Sequence, residues 1–130
     1  MFGFSMKNAK ESKKESSEEV TAERKDEILR SISLKKDKIN QSSEEEQARI
    51  YEEIGLAFNE LGEEDNAIDS LEKSIEIKKS LGDGYKTLLK LYNKKRSEAA
   101  KANDDELLQI YLKKMDRMMQ ISKDVTRGVR

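Results

Sequence analysis

The sequence predicts an all-α chain of about five helices folded into antiparallel hairpins. Three observations carry this expectation. First, apolar residues return at helical spacing from the twenties onward: Ile28 and Ile32, then Tyr51, Ile54, Gly55 and Phe58, then Ala67, Leu71, Ser74 and Ile75. Second, the 130 residues contain no proline, and between Phe4 and Gly128 glycine occurs only at 55, 62, 82 and 84. Third, charged residues make up 41% of the chain and aromatics 5%, which suits slender helices with solvated outer faces. One domain fits this length.

Residues 1–16 are expected to form a disordered tail, because apolar periodicity starts only later. Met1, Phe2, Phe4 and Met6 precede Lys7, Lys10, Lys13 and Lys14, a pattern that also fits a weak membrane-surface anchor. Phenylalanine at position 2 excludes N-myristoylation. A helical domain is expected over 17–126. Ser16 or Ser17 can cap its first helix ahead of Glu18 and Glu19. Ile28, Ile32 and Ile39 place the ordered part at 23–40, where it is expected to cover the open face of the following hairpin.

Asn40 to Ser43 reads as a turn, and Ser43 with Glu46 forms an S-x-x-E capping box for helix two. That helix runs to Leu61, where Gly62 can take the left-handed conformation that ends it. Helix three is expected over 65–80, opened by Glu63, Glu64 and Asp65. So short a turn makes the two helices antiparallel neighbours. Gly55 lies inside the apolar face of helix two and costs about 1 kcal/mol against alanine, which points to close approach by another helix. Leu81 to Gly84 forms the next break, helix four follows over 85–101, and Asn103 or Asp104 caps helix five, which continues to Asp124. Residues 127–130 are expected to fray.

Tyr51, Ile54-Gly55, Phe58, Ala67, Leu71 and Ser74 together resemble the tetratricopeptide repeat (TPR), with Lys79 where that family often has proline. Adding the repeat length of about 34 residues takes Tyr51 to Tyr85, Ile54 to Leu88, Gly55 to Leu89 and Phe58 to Tyr92, so the bulky roles return without the glycine. Beyond Tyr92 the register shifts, and Leu108, Leu112 and Met115 follow Ala67, Leu71 and Ser74 at a spacing of 41. The resemblance covers residues 47–122, with one good and one degenerate repeat. It implies a right-handed superhelical array and a non-catalytic adaptor or scaffold. Such a module binds a peptide or partner helix in the groove lined by the first helix of each pair.

Composition bounds the chemistry. The chain has no histidine and no cysteine, which removes the commonest general base and metal ligand and all thiol chemistry, and fits a reducing, cytoplasmic setting. No apolar run is long enough for a membrane span. The acidic triplets Glu44–Glu46 and Glu63–Asp65 fall in first turns of helices, where capping accounts for them. No catalytic residue, metal site or cofactor is expected. A net charge of −1 makes nucleic acid a poor third choice of partner, although Lys94, Lys95 and Arg96 are adjacent.

The charge is nonetheless polarised. Residues 44–72 carry eleven acidic side chains against one basic, and residues 73–101 carry nine basic against three acidic. By the position of the repeat, Arg49, Glu52, Glu53 and Asn59 of helix two would line the groove with Lys86, Lys90, Asn93 and Lys94 of helix four. The last four also share one helix face by spacing alone. A mixed-charge groove for a protein or peptide partner is therefore expected. The alternative is a small membrane-surface adaptor tethered by Phe2 and Phe4.

Helix five carries two adjacent apolar stripes. Leu108, Leu112, Met115 and Met119 are expected to pack on helix four. Leu107, Tyr111, Met118, Ile121 and Val125 would then form a self-association or partner face, with homodimerisation one outcome.

Overall fold

The computed structural model describes residues 20–128. Its elements are α1 (Ala22–Lys38), a short 3-10 turn (Ile39–Gln41), α2 (Glu44–Glu60), α3 (Glu64–Ile77), α4 (Asp83–Lys101) and α5 (Asp105–Arg127). The described residues are all-helical apart from turns and linkers. The expected tail over 1–16 and the Ser16 or Ser17 cap lie outside the described residues. The helix that carries Ile28 and Ile32 is capped by Thr21, whose Oγ1 accepts from the Arg24 backbone N–H at 3.1 Å.

Helix ends follow the local sequence closely. At Ser43 both halves of the capping box form: Ser43 Oγ accepts from the Glu46 N–H at 3.3 Å, and Glu46 Oε1 accepts from the Ser43 N–H at 3.2 Å. α2 ends in a Schellman turn, with the Glu63 N–H donating to Phe58 O at 2.9 Å and the Gly62 N–H to Asn59 O at 3.0 Å. Gly62 sits at φ 78°, where a Cβ is strained. α4 ends in the same way at Asn103, φ 57°, with bonds from Asp104 to Ala99 O and from Asn103 to Ala100 O. Asp104 then caps α5 through the Leu107 N–H at 3.1 Å. Gly62 and Asn103 stand 41 positions apart, the displacement visible in the sequence. α5 runs through Thr126 to Arg127, farther than expected, and Gly128 closes it at φ 78°.

Two cores meet at Phe58. Ile28 and Ile32 of α1 pack on Ile50 and Ile54 of α2, so α1 does cover that face of the hairpin. Ala67, Ile68, Leu71 and Ile75 of α3 pack with Leu88, Leu91 and Tyr92 of α4 and Met118 and Ile121 of α5. Within the α2–α3 hairpin, Gly55 faces Ala67 and Leu71, and Ser74 Oγ donates to Ala48 O at 2.7 Å in a buried hydrogen bond.

The rotation of α5 corrects the sequence reading. Met118 and Ile121 are each 2% exposed, and Tyr111, Met115 and Val125 pack against them. The stripe expected to face a partner is thus the chain's own core, apart from Leu107 at the start of the helix, which is 37% exposed. Leu112 and Met119, expected on helix four, are instead 39% and 59% exposed. Polar pairings accompany the rotation. Lys114 Nζ reaches Glu72 Oε2 of α3 at 2.6 Å, Asp124 meets Lys79 at 3.0 Å, and the Tyr85 hydroxyl donates to Met118 O at 2.8 Å.

Candidate functional site

The groove residues expected from the sequence divide into those with partners inside the chain and those facing solvent. Glu52 belongs to the first group. Gly82, the residue before α4, offers no side-chain cap. Glu52 Oε2 of α2 accepts from the Gly84 N–H at 2.8 Å instead and supplies a negative charge to the positive end of the α4 dipole. A Cβ on Gly84 would stand 2.7 Å from that same oxygen, so glycine here makes room for the carboxylate. Glu52 therefore fixes the start of α4 beside α2. Its carboxylate is turned to that contact while it also lines a cleft with Arg49.

Glu53 turns the other way, toward α1, with Lys35 Nζ at 3.9 Å. Lys94 bonds Glu64 at the start of α3, and Lys95 Nζ meets Asp65 at 3.1 Å. Both lysines are held above their usual range, Lys94 by its hydrogen bond to Glu64 and Lys95 by its hydrogen bond to Asp65. Asn93 Oδ1 accepts from Arg96 Nη2 at 2.9 Å and Nε at 3.2 Å. The adjacent Lys94, Lys95 and Arg96 are thus all engaged within the chain.

Arg49, Asn59, Lys86 and Lys90 remain exposed, and none has an ion-pair or side-chain hydrogen-bond partner among the described residues. Arg49 stands on the rim shared by two clefts. The larger, about 590 Å³, lies between the start of α2, the end of α3 and the start of α4, and includes Ser43, Glu45, Glu52, Lys78 and Tyr85. The smaller faces α1 and includes Lys35, Lys38 and Glu53. Glu45 pairs with Lys78 at 2.8 Å, which lowers its carboxyl below the ordinary range.

The structure therefore brings Arg49 and Glu52 to one cleft. Lys86 follows Tyr85, a residue lining that cleft, and Lys90 lies one turn farther along α4. Glu53 lines the smaller cleft with Arg49. Glu45, Lys78 and Tyr85 were not singled out in the sequence for this cleft. They come from three helix ends or linkers, and no periodic spacing links them.

No family model, curated protein or solved structure matches the chain. Among the described residues no helix is long and apolar enough to cross a membrane.

Proposed function

We propose that the chain is a non-catalytic protein–protein interaction module of TPR-like build, an adaptor or scaffold that holds an acidic peptide or partner helix against the solvent face of α4. The observation that carries this reading is the pair Lys86 and Lys90. They stand exposed one turn apart and unpaired among the described residues, while Lys94 and Lys95 beside them are neutralised within the chain. Two ammonium groups on one stripe, with the Asn93 amide one turn beyond Lys90, suit a carboxylate-bearing ligand. Arg49 extends the positive surface at the cleft rim.

Support for the repeat reading comes from the hairpin itself. Gly55 lies against Ala67 and Leu71, the close contact that the repeat's small positions serve. Glu52, at the edge of this surface, is turned to the Gly84 N–H at the start of α4. The test is selection from a display library of random peptides on the immobilised full chain and on its Lys86→Glu/Lys90→Glu variant. Peptides rich in Asp and Glu should be enriched by the first and not by the second. Enrichment of the same peptides by both would set this reading aside.

A further inference from the structure

α5 presents an uncovered apolar stripe. Leu112 is 39% exposed and Met119 59%, with half-buried Leu108 on the same side of the helix and Met115 at its inner edge, where it also packs against the core. Beside this stripe the outward face of α5 is polar, with Glu106, Gln109, Lys113 and Gln120 exposed. The charges along the stripe have an order. Asp105 lies at its N-terminal end and Lys123 at its C-terminal end, with Asp116 between them, all three exposed and without an ion pair among the described residues. At 100° per residue, Asp105 and Lys123 fall on the same edge of the stripe, because 18 residues complete five turns.

We infer that this face pairs with a second copy of the chain, α5 against α5 in antiparallel, two-fold fashion. In such a pairing the symmetric register that sets Leu108 against Met119 of the second copy also sets Leu112 against its Met115. The same register brings Asp105 level with Ser122 and Lys123 of the second copy, on the same edge, and two-fold symmetry repeats that ion pair at the other end. A parallel pairing in register would keep Asp105 and Lys123 of the two copies 18 residues apart along the axis, so neither would meet an opposite charge. The charge order therefore selects the antiparallel dimer, and antiparallel helix dipoles favour it too. The dimer does not depend on the peptide-binding reading, since Lys86 and Lys90 lie on α4.

Sedimentation velocity of the full chain over about a hundredfold range of concentration provides the test, with circular dichroism to check folding. The wild-type chain should show a monomer–dimer equilibrium, and Leu112→Glu should shift it to monomer. Asp105→Lys alone and Lys123→Asp alone should each weaken self-association several-fold. An equimolar mixture of those two variants should restore it, because both cross-pairs then carry opposite charges. A strict monomer throughout overturns the inference, including one in which residues 1–19 shield Met119 from oxidation. So does a dimer unchanged by Leu112→Glu, or single charge variants that the mixture fails to rescue.

Discussion

Gly55 and Leu71 are in contact so close that a Cβ added to the glycine would stand 2.6 Å from Leu71 Cγ and 2.7 Å from its Cδ2. Leu71 is fully buried and cannot retreat. The Gly55→Ala substitution thus sets two effects against each other. Helix propensity favours alanine by about 1 kcal/mol. Overpacking in a closed core costs about 1–3 kcal/mol. Packing should win, so urea unfolding should show a less stable Gly55→Ala chain. A variant more stable than wild type would mean that α2 and α3 sit farther apart than described.

Glu52 caps α4 from another helix, and its removal should be felt there. Glu52→Ala leaves the Gly84 N–H without its acceptor and should cost about 1 kcal/mol, the typical value of a lost cap. Glu52→Gln keeps an acceptor but loses the charge, and should cost less. Amide hydrogen exchange should localise the loss to the first turn of α4. Faster exchange spread evenly over all five helices would contradict a capping role.

Tyr92 links three helices: it lies in α4, its hydroxyl donates to Glu72 of α3, and its ring centroid is 5.9 Å from that of Tyr111 in α5. Burial raises its phenol well above the ordinary 10.0, and the hydrogen bond to Glu72 adds to the shift. The folded chain therefore prefers the protonated phenol. The associated stability is fully present below about pH 10. It is lost as pH rises further, because the unfolded phenol ionises while the folded one resists. Tyr92→Phe should lower stability at neutral pH by about 1 kcal/mol through loss of the hydrogen bond, and should flatten the alkaline decline. Phenolate absorbance from Tyr92 in the folded chain near pH 10 would contradict this assignment.

Helix ends and close contacts were the most legible parts of the sequence. Ser43 with Glu46, Gly62 and Asp104 each act through a few neighbouring residues, so local spacing suffices to find them. Gly55 was legible because a glycine inside an apolar helix face weakens the helix and is useful there only where a neighbour needs the space of its missing Cβ. The rotation of α5 was not. Its two stripes lie side by side and are similarly apolar, and the choice between them rests on packing against α3 and α4, the side on which Lys114 also meets Glu72 and Asp124 meets Lys79. Those partners lie 42 and 45 residues away, outside the reach of periodicity. The groove residues were hidden in the same way. Position placed Glu52, Glu53 and Lys94 on a common surface, but Gly84, Lys35 and Glu64 decided which way each one turns.

The most direct measurement is a titration of the full chain with an acidic peptide taken from the display selection, followed by fluorescence anisotropy at two salt concentrations. Wild-type affinity should fall as salt rises, as expected for exposed charges. Lys86→Glu/Lys90→Glu should weaken binding more than tenfold, about 1.4 kcal/mol, with helicity unchanged. Undiminished affinity in that variant, together with loss of binding in Leu112→Glu, would place the binding surface on the outer face of α5 and contradict the role assigned to α4.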